Sequence, residues 1–312
     1  MKKNVRIFVA GHNGMVGSAI VRALIKNGYT KIITRTKKQL NLLDKKKTSM
    51  FLEKNKPNFI FIAAAKVGGI LANNKFKSDF LYENLTIQNN LINGAFSNNI
   101  KNLMFLGSSC IYPKNCKKPI KEKYLLTGVL EETNEAYAIA KIAGLKLCEY
   151  YNNSFKTNYR VLMPTNLYGI NDNYHQQNSH VIPALISKLY KAKKNKKKIV
   201  KIWGSGKPKR DFMYVDDLAE ACIFFMNKNL KNQFLNIGSG KSYTILKITK
   251  IIKKILNYEG EIRTDISKPD GTLDKSLDIS KATVLGWKGS QTTLEDGLRL
   301  TIIDYIKKFH EK

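Results

Sequence analysis

Tyr137 and Lys141 stand four residues apart in Tyr137-Ala138-Ile139-Ala140-Lys141, a spacing that puts a phenol and an ammonium on one face of a helix. A cation beside a phenol stabilises phenolate, so such a pair can exchange a proton with a carbonyl or alcohol oxygen near neutral pH. This spacing recurs by chance, and an isolated copy is more simply a half-buried Tyr with a solvated Lys. Here it has company. Leu106-Gly107-Ser108-Ser109-Cys110 brings small hydroxyls and a thiol together, and Ser108 can hydrogen-bond the oxygen that Tyr137 would protonate. A cysteine such as Cys110 is ordinarily a small buried apolar side chain, and a loop histidine is ordinarily a polar surface group. Among the four histidines, His12, His175, His180 and His310, His180 differs in opening a stretch of helical period, Val181–Tyr190.

A second constellation concerns phosphate. Gly11-His12-Asn13-Gly14-Met15-Val16-Gly17 follows an apolar strand-length run and opens a helical segment. Glycines at these spacings permit a tight turn, close approach of backbone to a pyrophosphate, and close packing of helix on strand, and the helix N-terminus favours negative charge. A plain turn explains such a loop equally well when it is taken alone. The next expected strand ends in Thr34-Arg35-Thr36-Lys37-Lys38. NAD sites usually place a carboxylate there for the ribose hydroxyls; Arg35 in its stead would attract a 2′-phosphate, which favours NADP(H).

The elements that must hold these residues alternate in period. Val5–Ala10, Lys31–Thr34, Phe59–Ile62, Asn102–Leu106 and Arg160–Met163 have strand length and apolarity, while Met15–Asn27, Lys45–Asn55, Asp79–Asn98 and Ala136–Asn153 have helical period. The expected fold is α/β, a doubly wound parallel sheet of Rossmann type. From about Thr165 the alternation loosens, with Pro164, Gly169, Pro183, Gly204, Gly206 and Pro208 breaking the chain into shorter pieces. The expected division is a cofactor domain over 1–165, to which 211–240 returns, and a smaller C-terminal substrate-binding lobe over 166–312. The Lys-rich segment Lys191–Lys201 reads as a helix end and loop.

Composition sets the outer bounds. No apolar run approaches the ~20 residues of a membrane helix. The opening Met1–Gly11 carries Arg6 and Gly11 and leaves an apolar stretch too short for a secretory signal, so a cytoplasmic protein is expected. The cysteines Cys110, Cys116, Cys148 and Cys222 show neither a CxxC pair nor regular spacing, so neither a metal site nor a disulfide framework is expected. With 54 Lys and Arg against 24 Asp and Glu the formal charge is +30. The lysines are scattered and lack interleaved aromatics, so a solvated basic surface is expected rather than a specific nucleic-acid site.

Taken together the residues resemble the extended short-chain dehydrogenases that act on nucleotide sugars, most closely the GDP-L-fucose synthases. The resemblance runs through most of the chain in the blocks Ala10–Gly17, Ala63–Ile70, Leu106–Pro113, Glu135–Gly144, Met163–Gly169, Asn178–Ala184 and Arg210–Asp217. It implies reduction by Ser108, Tyr137 and Lys141, and epimerisation with Cys110 and His180 as acid and base. It also implies NADP(H) held by Gly11–Gly17, Arg35, Leu106, Gly107, Ser108, Ser109, Lys141, the segment Pro164, Thr165, Asn166 and Leu167, and His180. Lys188, Trp203, Arg210 and Asp270 would lie on the GDP-sugar side, and the family suggests a homodimer through the helices near Asp79–Asn98 and Ala136–Asn153. Two residues depart from the family pattern: Asn13 stands where an Arg often helps to hold the 2′-phosphate, and Lys188 replaces an Arg, losing its planar fork. Rival expectations are a nucleotide-sugar epimerase or dehydratase that keeps its NAD through the cycle, and a basic nucleic-acid-binding protein with a vestigial cofactor fold.

Overall fold

The computed structural model describes residues 1–175, 179–228, 230, 234–268, 270 and 273–309; Asn178 and His310 lie outside them. The first half alternates as expected: β1 (Ile7–Ala10), α1 (Met15–Lys26), β2 (Ile32–Ile33), α2 (Lys45–Asn55), β3 (Phe59–Ile62), α3 (Ile70–Lys75), α4 (Lys77–Ser97), β4 (Asn102–Leu106), α5 (Glu135–Phe155) and β5 (Asn158–Pro164). There follow β6 (Asn166–Tyr168), α6 (Val181–Lys194), β7 (Ile199–Trp203), β8 (Lys209–Tyr214), α7 (Val215–Met226), β9 (Phe234–Ile237), β10 (Ser242–Thr244), α8 (Ile245–Ile255), β11 (Glu261–Asp265), β12 (Asp274–Lys275), α9 (Ser280–Val284) and α10 (Leu294–Phe309).

Six strands form a parallel sheet in the order β2-β1-β3-β4-β5-β9. Strands β1 and β3 are buried at every residue, because helices cover both faces of the sheet. On one face Ala19, Ile20 and Leu24 of α1 pack with Leu218, Ala219 and Cys222 of α7; on the other, Leu91 and Ile92 of α4 pack with Ile142 and Leu145 of α5. The chain runs from β1 outward to β2 and returns on the far side of β1 as β3, so their carboxyl ends diverge and open a crevice. A smaller sheet lies beyond this edge, with β8 between β10 and β12 and β6 also pairing with β8. It is fastened to the large sheet where Thr165 Oγ1 and Asn166 Nδ2 donate to the Asp211 carbonyl at 2.9 and 3.1 Å.

Three expectations needed correction. The strands read as Val5–Ala10 and Lys31–Thr34 are shorter, since the edge strand β2 pairs with β1 at only two positions. Helix α3 was not anticipated. The Lys-rich Lys191–Lys201 segment is not a helix end and loop throughout: β7 begins at Ile199, with Val200 and Ile202 buried between exposed neighbours, a two-residue period that the lysine composition concealed.

Candidate active site

A cleft of about 1720 Å³ lies along the carboxyl edge of the large sheet, and every site residue expected from the sequence lines it except Gly17. Gly17 acts from behind. A Cβ there would stand 2.1 Å from the Gly11 carbonyl oxygen, and one on Gly11, whose φ is +89°, would stand 2.6 Å from the Ala64 nitrogen. The turn between β1 and α1 therefore presses against β3 without side chains intervening. Gly14, the residue before α1, supplies no side-chain cap, so the N–H groups of the first turn, whose Met15 and Val16 line the cleft, have no side-chain partner, as an anion site requires. The Asn13 carbonyl accepts a 2.7 Å hydrogen bond from Asn171 Nδ2. Arg35 is exposed past β2, its guanidinium over the Phe51 ring at 5.4 Å, and Lys37 joins it in the lining. A glycine cradle that side chains would fill, an uncapped helix start and two exposed cations fit a phosphorylated dinucleotide.

The chemistry-bearing residues come from the ends of β4 and β5 and from α5 and α6. Gly107 donates to the Leu162 carbonyl at 2.9 Å, continuing the β4–β5 ladder, and directs the chain to Ser108. Ser108 caps a short 3-10 turn, its hydroxyl accepting from the Cys110 N–H at 3.4 Å. The Cys110 thiol is buried. Burial pushes it above the usual thiol range, while the Ser108 hydroxyl and the Lys275 and Lys141 ammonium groups pull the other way. His180 immediately precedes α6 and is reached by solvent through the cleft, yet the protein around it holds its imidazole below the usual histidine value.

Helix α5 delivers Tyr137 and Lys141 because it lies very close to its neighbours. A Cβ on Gly144 would come 2.6 Å from the Phe105 ring of β4 and 2.8 Å from Gln88 Oε1 of α4. Lys141 is almost fully buried, with its Nζ 2.8 Å from the Leu106 carbonyl, 4.6 Å from the Phe105 ring centroid and 5.6 Å from that of Tyr137. Burial brings the ammonium down to about 8, with Cys110 opposing. One expectation is overturned here: the Tyr137 phenol is not lowered by Lys141 but raised, first by burial and then by Cys110. Nothing around the phenol offsets its removal from water, so it stays protonated, the state of a proton donor.

On the other wall stand Lys188 of α6, Trp203 at the end of β7 and Arg210 of β8. Asp270 lies there as well, but both its oxygens already accept from Ser205, from the N–H at 2.8 Å and the hydroxyl at 2.6 Å. It thus also braces the turn that follows Trp203. Lys275, Asn134, Asn171 and Glu83 line the cleft without having been singled out, and so does Lys66, which lies within the block Ala63–Ile70. The first four lie in loops, on a two-residue strand or on a helix face with no motif, so the sequence carried no signal for them. Among the described residues no group of three or more His, Cys, Asp or Glu side chains could hold a metal ion, and no helix is long and apolar enough to cross a membrane.

Fold and cleft together define a dinucleotide-dependent enzyme of the Rossmann class. The family model for the NAD dependent epimerase/dehydratase family matches residues 7–238, and the chain belongs to that family. It is 47% identical over 305 residues to a GDP-L-fucose synthase of Escherichia coli (strain K12), covering 95% of each chain. Among solved structures it is similar to a GDP-L-fucose synthetase from Naegleria fowleri bound to NADP (TM-score 0.92, 26% identity, 100% of this chain and 97% of that one). It is also similar to a GDP-mannoheptose C4 reductase from Campylobacter jejuni with NADP bound (TM-score 0.90, 37% identity, 98% and 99%).

Proposed function

We propose that this chain converts GDP-4-keto-6-deoxy-mannose to GDP-L-fucose by 3,5-epimerisation followed by NADPH-dependent reduction at C4. The observation that carries the reading is that Cys110 and His180 share one cleft with Ser108, Tyr137 and Lys141, so that two sets of proton-transfer groups can face one sugar. The C4 ketone acidifies the hydrogens on C3 and C5. Cys110 and His180 remove and return those protons, the electron pair resting meanwhile as an enolate on the substrate. Ser108 and Tyr137 hydrogen-bond the C4 oxygen; Tyr137, kept protonated by burial, gives its proton to that oxygen as the reduction completes. The buried Lys141 ammonium favours negative charge developing there. Gly11–Val16, Arg35, Leu106–Ser109, Lys141, Pro164–Leu167 and His180 would hold the cofactor, which when bound supplies the hydride that C4 accepts. Lys188 and Arg210 would meet the diphosphate, and Trp203, 62% exposed, would offer an indole face to the guanine.

The same reading assigns 1–165, with 211–240 returning, to the cofactor and the rest mainly to the substrate, in an enzyme of the cytoplasm. It also assigns a homodimer formed through α4 and α5, supported by the exposed Tyr82, Tyr150 and Phe155 on those helices. Incubation with NADPH and GDP-4-keto-6-deoxy-mannose, followed by identification of the product sugar, tests class, cofactor and substrate together. GDP-L-fucose is the expected product. Reduction without epimerisation would shift the reading to a GDP-sugar C4 reductase, a likeness that one solved structure also offers; no NADPH oxidation would end it.

A further inference from the structure

Asn171 stands in the connection between β6 and α6, half-buried in the wall of the cleft, with a φ of +69° that asparagine adopts more readily than most residues. Its backbone N–H and both ends of its side chain are engaged. The N–H donates to Asp304 Oδ2 at 2.9 Å, and Oδ1 accepts from the Lys308 ammonium at 2.8 Å. Asp304 and Lys308 are themselves an ion pair at 3.1 Å on α10, a helix anchored through Leu298, Ile302 and Tyr305 in the core around β8 and α6. On the other side, Nδ2 donates to the Asn13 carbonyl at 2.7 Å and to Ser18 Oγ of α1 at 3.4 Å. Only one orientation of the carboxamide serves both sides, oxygen to ammonium and nitrogen to carbonyl. The ammonium polarises the amide and so strengthens its donation to Asn13.

This bond acts on a peptide in the middle of the glycine loop. A trans peptide points its C=O and N–H in opposite directions, and here the Gly14 N–H donates to the Gly11 carbonyl at 3.0 Å while the Asn13 carbonyl goes to Asn171. The 13–14 peptide is thus held at both ends, from within the loop and from α10 through Asn171. The close packing of Gly11 and Gly17 fixes where the backbone lies; the hydrogen bonds fix which way this peptide faces. Released from Asn171, the carbonyl oxygen could turn, and its partial negative charge opposes a diphosphate wherever it faces one.

We propose that Asn171 is a positioning residue for the cofactor diphosphate: by holding the Asn13 carbonyl it keeps the glycine loop in an orientation that receives an anion, and it braces that loop against α10. The proposal rests on the placement of the diphosphate at this loop given above. Since NADPH and NADH share the diphosphate, Asn171 sets the affinity for both alike, in contrast to Arg35, whose partner only NADPH carries.

The test measures dissociation constants of NADPH, NADH and ADP-ribose on the full chain by calorimetry, together with the Tm of each variant without cofactor. Asn171→Gly suits the left-handed backbone, adds no charge and deletes the carboxamide. It should weaken all three ligands by a common factor of roughly ten and leave the ratio of NADPH to NADH affinity unchanged. KM for NADPH should rise while kcat at saturation stays within about twofold. A purely structural role would lower Tm and leave the three constants where they are. Lys308→Met keeps the donor but removes the ammonium that polarises it, and should give a smaller loss of the same pattern; it serves as the second variant should Asn171→Gly disturb the fold. Equal constants in wild type and Asn171→Gly overturn the proposal, as does a loss confined to NADPH, which would put Asn171 at the 2′-phosphate instead. Gly14→Asp tests the premise separately. Its Cβ stands 3.5 Å from the Gly11 carbonyl oxygen, an ordinary contact, and its carboxylate can cap α1, yet it sets a negative charge where the diphosphate would lie. Tm should hold and binding of all three ligands should fall steeply. Wild-type binding in Gly14→Asp would mean that the diphosphate lies elsewhere and the premise fails; weak binding in Gly14→Asp beside wild-type binding in Asn171→Gly would defeat the Asn171 account alone.

Discussion

The Lys141 ammonium donates a 2.8 Å hydrogen bond to the Leu106 carbonyl, tying the second turn of α5 to the last residue of β4. Ser108 and Cys110 follow that carbonyl directly, so one bond fixes the spacing between the phenol–ammonium pair and the hydroxyl–thiol pair. It also leaves the ammonium buried, at about 8 rather than the ordinary lysine value of 10.5.

This gives the reductive step an alkaline limb. Above about pH 8 Lys141 loses its proton, and kcat/KM for reduction should fall. Stability should move the other way. The folded-state value is depressed, so between about 8 and 10.5 the unfolded chain binds more protons at this site, and the contribution of Lys141 to stability rises with pH. Loss of activity without loss of Tm in that window is the expected signature. In Lys141→Arg the limb should leave the accessible range, because a guanidinium keeps its proton; an unmoved limb would assign it to another group.

Epimerisation and reduction should separate by mutation. In heavy water the wild-type product should carry deuterium at C3 and C5, and Cys110→Ser should lose most of it, because a serine hydroxyl is a far weaker acid than a thiol of pKa about 8.5. His180→Asn should impair exchange as well. Tyr137→Phe should act oppositely, blocking reduction by roughly a hundredfold or more while leaving exchange detectable. Wild-type exchange in Cys110→Ser would return that thiol to the core.

Arg35 should read the 2′-phosphate. Arg35→Glu puts a carboxylate where that phosphate would lie, and the kcat/KM preference for NADPH over NADH should shrink by roughly tenfold or more, or invert. Lys37 lines the same end of the cleft, so Lys37→Ala should give a smaller change of the same sign. An unchanged ratio in Arg35→Glu would mean that the phosphate is held elsewhere.

Gly17 and Gly14 should respond differently to a methyl group. On Gly17 it would meet the Gly11 carbonyl at 2.1 Å, whereas on Gly14 it would meet the same atom at 3.5 Å, an ordinary contact. Thermal unfolding without cofactor should therefore show Gly17→Ala destabilised by about 1 to 3 kcal/mol and Gly14→Ala little changed. Equal Tm values would show that the turn relaxes freely.

The sequence by itself determined what local period and spacing express. Apolar runs of four or five residues ended by helical segments predicted the alternation from β1 to β5, since a strand covered on both faces must be apolar throughout. The glycine spacing located the loop between β1 and α1, and the four-residue step put Tyr137 and Lys141 on one helix face. Periodicity failed where elements are short or their composition misleads, as at α3, β7 and β12. What the tertiary structure decided is which separate segments share one cleft and what burial does to their charges. Lys275 enters the lining of the cleft through a strand of two residues that has no period to detect. The phenol expected to be lowered by its neighbouring lysine instead rises, because removal from water depends on the surrounding fold and not on separation along the chain.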